Sequence, residues 1–484
     1  MTHSLDLAYL DALTMGERFR SRDLSPVEVV DAVHTVVEAR EPYLNAFHVR
    51  SLEDARASAE ASEQRWRDGT PLSALDGVPI TLKENIARVG VPMAFGNAGV
   101  TPKTPDRSAP TTLRVERAGL VLLGSTVMPD WGMLSSGVSS LHGVTRSPLD
   151  LRWTTGGSSS GAGAAAAGGY GPIHMGTDIG GSIRLPSAWL GLCGLKPSFG
   201  RVPLDSPYLA RVVGPMARTV RELTAIMEIV AGFDPVDYTA LPPAEIDWNE
   251  RDWDPQGLRV GLLLDAGCGG PTDPVVRAAV EECARVFEGA GAVVEPLLPF
   301  MSQELLDALD LFWRVRSWVD HRALGPEARN RVLPYVANWC TAGSDTSGAD
   351  VMRCYQAIME IQQLTTRATE RFDVVLSPVA PVNAFAAEEP MPYHGDQATM
   401  HHIGFTAPYS LSGQPAVSVN CGFTDDRRPI GVQLAGRRFD DAGVLRASEW
   451  YEQARPPSAA PAWPSDQVVP SHWSAHHAQT QERR

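Results

Sequence analysis

The sequence is short of several things at once. Its six cysteines, at 193, 268, 283, 340, 354 and 421 of 484 residues, include no Cys-x-x-Cys pair. That excludes a disulfide framework and a zinc knuckle, and leaves thiols expected to be reduced and mostly buried. No apolar run approaches the roughly 18 residues of a membrane span. The opening, MTHSLDLAYLDALTMGERF, carries acidic residues where a secretory signal would be basic and then apolar. A cytoplasmic protein with no membrane partner is expected. Positive charge is also scarce: 42 Lys and Arg stand against 57 Asp and Glu, a net charge of −15, which argues against a nucleic-acid partner. There is no His-Glu-x-x-His, and the neighbours His401 and His402 face different ways on any regular element, so no metal site is expected. No internal repeat is visible.

What is present reads as α/β. Segment 25–40 opens with Ser25 as N-cap, Pro26 at the first helical position and Glu28 closing a capping box, and Val29, Val30, Val33, Val36 and Val37 recur at helical spacing. A polar helix near 51–67, a strand over 79–83, a helix at 108–118 and an apolar stretch at 120–126 follow. Beyond 255 the pattern returns, with strands at 258–264, 292–297, 373–378, 416–420 and 431–436 and helices at 273–289 and 440–454. This alternation implies a large mixed, mostly parallel central sheet covered by helices on both faces, in a single domain over 1–454. Residues 301–370 read as helix after helix, bearing Trp313, Trp318, Tyr335 and Trp339. Such an excursion serves equally as helix–helix core or as a substrate wall. The tail after Ala454 is rich in Pro, Ser and Gln, and little fixed structure is expected there.

The most unusual stretch is 154–200, TTGGSSSGAGAAAAGGYGPIHMGTDIGGSIRLPSAWLGLCGLKPSFG. A Gly/Ser linker would be polar and open-ended. Here Ala164–Ala167 form a helix-competent run and 171–175 a short strand. Glycine at such density inside a folded body suggests backbone approaching a ligand. Gly161, Gly163 and Ala166, with Asp178 downstream, fit the loose dinucleotide fingerprint, and 157–161 fits Gly-x-Ser-x-Gly, but neither has the strand that each needs leading in. A phosphate loop fails, because no Lys-Ser/Thr follows the glycines. A non-catalytic nucleotide or small-ligand binder therefore stands only as an alternative.

The strings GGSSSGAGAAAAGG, GTDIGGSIRLPSA and CGLKPSFGR strongly resemble the core of the amidase signature family. LDGVPITLKENI at 75–86 resembles its lysine strand, and TAPYSLSGQPAVSVNCGF with PIGVQLAGRRFDD its C-terminal sheet region. The likeness covers most of residues 20–454, and the spacing of Lys83, Ser158 and Ser182 fits a Lys-Ser-Ser arrangement. The resemblance implies a hydrolase of linear amides, with Ser182 as nucleophile, Ser158 as bridging hydroxyl on a non-proline cis peptide, and Lys83 as ultimate base. It places an oxyanion hole in the amides of Ile179, Gly180, Gly181 and Ser182. Ser159 and Thr177 are expected to hydrogen-bond around the site, and Asp178 and Arg184 to pair and brace the loop. No cofactor is implied, and the partners are an amide substrate and water; a homodimer is allowed. An ammonia-delivering amidotransferase component is the alternative within the family.

A lysine is a base only when neutral, so burial among Val78, Ile80, Leu82 and Ile86 must lower its pKa. Lys196, in a Gly-Leu-Lys-Pro turn, is discounted as a Schiff-base former. Two departures stand out. Ser159-Ser160-Gly161-Ala162 replaces a usual Ser-Ser-Gly-Gly, and VMPDWGMLSSGVSS at 127–140 replaces a stretch near the acyl pocket. Trp131, Met133 and Leu134 are accordingly expected to line the substrate pocket, favouring an aryl or apolar amide, or a carbamate.

Overall fold

A computed structural model describes residues 2–250, 253–395 and 399–473. Its helices start where the capping chemistry places them. Ser25 accepts the Val27 N–H at 3.0 Å and Glu28 accepts the Ser25 N–H at 2.8 Å, opening the helix Pro26–Leu44, in which Val29, Val30, Val33, Val36 and Val37 are buried. Asp273 accepts the Val275 N–H at 3.0 Å and opens Pro274–Gly289.

The strands are β1 (Phe47–Arg50), β2 (Pro79–Lys83), β3 (Val121–Thr126), β4 (Val138–Ser139), β5 (Gly143–Val144), β6 (Ile173–Asp178), β7 (Cys193–Lys196), β8 (Val212–Ala217), β9 (Arg259–Leu262), β10 (Val293–Pro296), β11 (Val374–Pro378), β12 (Ala416–Phe423) and β13 (Pro429–Gly436). β4 and β5 pair with each other; the other eleven form one sheet in the order β1-β3-β2-β6-β8-β7-β12-β13-β11-β9-β10. Pairing is parallel along β3-β2-β6 and along β11-β9-β10, and antiparallel elsewhere. The mixed α/β sheet is as expected, but its centre is antiparallel, which corrects the reading of a mostly parallel one. The reason is local. β7 and β8 carry no clear alternation in the sequence, and the short link from β12 to β13 leaves no room for a parallel crossover.

Both faces are covered. Val417, Val419, Val432 and Leu434 join a core with Leu223, Val276, Val280, Val444 and Leu445 of the flanking helices, while Ala416 and Ala435 on the opposite face pack with Phe405 and Tyr409. The excursion is helical, in Gln303–Ala323, Pro326–Arg329, Pro334–Thr341 and Gly348–Thr369. It has its own core around Leu309, Trp313, Trp339 and Ile358. All six cysteines are free and five are buried. No helix among the described residues is long and apolar enough to cross a membrane.

The tail is described as far as residue 473; residues 474–484 lie outside the described residues. Residues 455–473 have little regular structure yet are fastened to the body. Buried Arg40 donates to the carbonyls of Pro464, Gln467 and Val468 and lies 5.7 Å from the ring centroid of the buried Trp473. Composition suggested a loose tail because its apolar anchors are few; one guanidinium supplies what they lack. Arg40→Ala should therefore lower unfolding stability by about 3–5 kcal/mol, since several charge-assisted hydrogen bonds vanish together. Limited proteolysis should then cut first within 455–473.

Candidate active site

The carboxyl ends of the parallel strands β2 and β6 open on one cleft, the usual place for a ligand beside parallel strands. Lys83 is the last residue of β2, and Thr177 and Asp178 end β6 beside it. The flanking Val78, Ile80, Leu82 and Ile86 are all buried, and Lys83 itself has no exposed surface. Its Nζ lies 2.8 Å from Ser158 Oγ, 3.2 Å from Ser159 Oγ and 3.1 Å from Thr177 Oγ1. Burial lowers the lysine pKa to about 7, although the charges of Glu84 and Asp178 pull the other way.

Neither carboxylate touches the amine. Glu84 Oε2 is taken by His142 Nε2 at 3.0 Å and approached by His48 Nδ1 at 3.5 Å. Among the described residues these three form the one histidine and carboxylate group close enough to hold a metal ion, a grouping that the scattered sequence positions conceal. Lys196 is equally buried, with a pKa also lowered to about 7 by burial, but its Nζ meets only the Pro197 carbonyl, at 2.8 Å. Geometry, not titration, separates the two lysines.

The serine loop is built by close approach. The peptide Gly157–Ser158 is cis. The helix Ser160–Ala167 that follows has no side chain larger than serine's or alanine's and is wholly buried. A Cβ on Gly161 would stand 2.3 Å from the Ala46 carbonyl oxygen, so the helix can lie against that backbone only with glycine there. The Ser159 N–H donates to the Ser182 carbonyl at 3.1 Å, tying the two serine segments together.

Asp178 organises the loop that carries Ser182. Its oxygens accept the Gly181 N–H at 2.8 Å, the Ile183 N–H at 3.1 Å and two N–H groups of Arg184 at 2.9 and 3.0 Å. Burial would raise this carboxyl, but the Arg184 charge and hydrogen bonds outweigh it and hold the pKa at about 2. Arg184 in turn donates to the Thr406 carbonyl, Gln433 Oε1 and Ser410 Oγ, so the C-terminal region buttresses the loop. The Gly181 amide is thus occupied, which removes it from the expected oxyanion set. Among the described residues, the fold offers no partner to the other three expected amides, those of Ile179, Gly180 and Ser182. Asp178→Asn would leave Arg184 buried without a counter-charge; a loss of about 3–5 kcal/mol in urea denaturation is expected.

The cleft is lined by Ser158, Thr177, Ile179, Gly180 and Ser182 on one side and by Trp131, Met133, Leu134, Trp313 and Ile403 on the other. The lining suits a partly apolar ligand. Trp313 comes from the helical excursion, which therefore serves as both core and wall. His401 and His402 do face different ways. His402 is buried against Ser135 Oγ at 2.7 Å, while His401 meets Gln303. Sequence reading missed Asn85, whose Nδ2 donates to Thr177 Oγ1 at 3.1 Å, and Arg211 and Arg316, both in the lining. Signals existed. Arg211 is a lone cation in the apolar YLARVVGPM, and Arg316 follows Trp313 at helical spacing on the same face.

A family model described as Amidase matches residues 28–445. An acylamidase of Rhodococcus erythropolis is 32% identical, covering 96% of this chain and 99% of that protein. A glutamyl-tRNA(Gln) amidotransferase subunit of Chloroflexus aggregans is 32% identical over 93% of this chain and 97% of its own length. Among solved structures, a bacterial aryl acylamidase superposes with a TM-score of 0.85 at 29% identity, covering 92% of this chain and 96% of that one. A 6-aminohexanoate cyclic dimer hydrolase gives 0.84 at 25% identity, covering 96% and 100%. The chain belongs to the amidase signature family, whose enzymes act on carbon–nitrogen amide bonds.

Proposed function

We propose that this protein hydrolyses linear amides of aryl or apolar character, or carbamates, through Lys83, Ser158 and Ser182 and a covalent acyl-enzyme. The observation that carries the reading is the Lys83 amine, sealed from water and 2.8 Å from Ser158 Oγ. Ser159 Oγ donates to the Thr177 carbonyl at 3.3 Å, so toward Lys83 it can only accept. Thr177 Oγ1 already accepts from Asn85 and can accept again. A neutral amine then spends its two N–H groups on these oxygens and turns its lone pair to the Ser158 O–H.

The chemistry follows. Ser158 passes its proton to Lys83 and takes one from Ser182, whose Oγ attacks the carbonyl carbon. The oxyanion develops toward the free amides of Ile179, Gly180 and Ser182, donors already fixed in place by the Asp178–Arg184 brace. The C–N bond breaks as the proton returns from Lys83 through Ser158 to the leaving amine. Water then repeats the sequence on the acyl–Ser182 ester and releases the acid. The balance needs only substrate and water.

A fluorophosphonate tests this without knowledge of the substrate. Peptide mapping should find the label on Ser182; a label elsewhere, or none, contradicts the reading. The identity to the Chloroflexus aggregans protein supports a second reading, the amidase component of a tRNA-dependent amidotransferase. Recovery of a stoichiometric partner protein on purification selects it.

A further inference from the structure

The cleft contains positive charge that this chemistry does not use. Arg211, just before β8, and Arg316, on the helix Gln303–Ala323, both line it together with Ser158 and Ser182. Their guanidinium carbons lie 5.3 and 5.2 Å from the centroid of one ring, Tyr208. The five buried arginines of the described residues are all satisfied, Arg184, Arg201 and Arg314 by the acids Asp178, Asp441 and Asp310, and Arg40 and Arg218 by backbone carbonyls. Among the described residues no carboxylate comes within 4.0 Å of Arg211 or Arg316.

Asp320, one turn along the same helix as Arg316, is exposed and forms no ion pair with it within 4.0 Å, and the buried acids near the cleft are already engaged. Asp178 serves Arg184, Glu84 serves the two histidines, and Asp130 accepts the Ser140 N–H and O–H and the Leu333 N–H. Arg316 Nη2 finds only Met133 Sδ at 2.9 Å and Ser317 Oγ at 3.5 Å, and its buried Nε has no partner. Stacking on Tyr208 is favourable, yet it leaves in-plane donors without an acceptor. Two guanidiniums that share a ring repel each other. Burial and the Arg316 charge depress the Arg211 pKa, and the Arg211 charge is felt as far as Lys83. A fold that keeps such a pair beside a nucleophile lacks a planar, two-oxygen anion between them.

We propose that Arg211 and Arg316 form an anion subsite, and that the substrate is an amide bearing a carboxylate away from the scissile bond. This rests on the hydrolase reading above and adds the substrate class to it. The apolar wall of Trp131, Trp313 and Ile403 would hold the aryl or alkyl spacer between the two polar ends.

Two matched substrate pairs test the proposal, one for each side of the amide: N-succinyl-para-nitroanilide against N-valeryl-para-nitroanilide, and para-acetamidobenzoate against para-acetamidotoluene. In at least one pair the carboxylate-bearing member should have a kcat/KM at least about tenfold higher, as charge-assisted pairing warrants. The preference should shrink with added NaCl. It should fall about tenfold or more in Arg211→Met and in Arg316→Met. The ratio within a pair is read, so a general loss of activity in a variant does not mimic the result. Protection of Ser182 from the fluorophosphonate by para-acetamidobenzoate, but not by para-acetamidotoluene, gives the same answer without turnover. A wild-type protein that favours the neutral member of both pairs overturns the subsite, as does a preference unchanged in both variants. Absence of fluorophosphonate labelling faults the hydrolase reading instead.

Discussion

Ser182→Ala is expected to abolish fluorophosphonate labelling and to lower kcat by about five orders of magnitude. Residues that act as one nucleophilic unit cost nearly the whole covalent route when any member is lost. What survives is binding in the cleft and the donors at Ile179, Gly180 and Ser182. Because Ser182 is only half-buried and its hydroxyl braces nothing in the fold, the melting temperature should change little. Ser158→Ala separates the two roles. The nucleophile remains but its proton path is cut, so kcat should fall by about a thousandfold while KM moves far less. Retained turnover in Ser182→Ala, measured with a chromogenic anilide, would refute the acyl-enzyme.

Lys83→Ala should lower kcat/KM by about a thousandfold or more, and it should change the pH profile as well as the rate. The amine works only when neutral, so wild-type kcat/KM rises with pH through about 7. With that pKa about one lysine in ten is neutral at pH 6 and about nine in ten at pH 8. The variant loses this limb. Stability carries the same signature with a definite sign. Between pH 7 and the ordinary lysine value of 10.5, the unfolded chain holds a proton that the folded chain does not, so folding gains stability as pH rises across that window. Lys196 contributes a parallel dependence, so Lys83→Met should weaken the slope without removing it. It should also melt higher than wild type near pH 6, where the folded protein must otherwise bury an ammonium. A flat wild-type profile between pH 6 and 9 would contradict the base assignment.

Much of this could be read from the chain. Capping chemistry at Ser25 and Asp273, and the strand patterns at 79–83, 416–420 and 431–436, located helices and strands to within a few residues, because those signals act over one or two turns. Strand direction was less legible: β7 and β8 lie inside a Gly- and Pro-rich stretch, and antiparallel pairing depends on partners distant in sequence. Ser158, Thr177 and Ser182 line one cleft with Trp131, Met133 and Leu134, while Lys83 and Ser159 are buried beside Ser158 and Thr177, and Asp178 and Arg184 are buried as a pair beneath the loop of Ser182. The fate of the Gly181 amide was hidden, because a donor's partner depends on where the Asp178 oxygens point. Arg211 and Arg316 were hidden for another reason. A missing counter-charge is a property of the assembled neighbourhood and cannot be seen in either residue alone.

The brace behind the nucleophile draws on residues laid down very late in synthesis. Arg184 takes its outer acceptors from Thr406, Ser410 and Gln433, the last of these in β13 near the end of the sheet. A nascent chain that has emerged only through residue 400 already carries the amine and both hydroxyls, but not the clamp that aims them. On the proposed mechanism, a chain that stops short of β13 is expected to show no turnover, because the outer acceptors that hold Arg184 in place are missing from it.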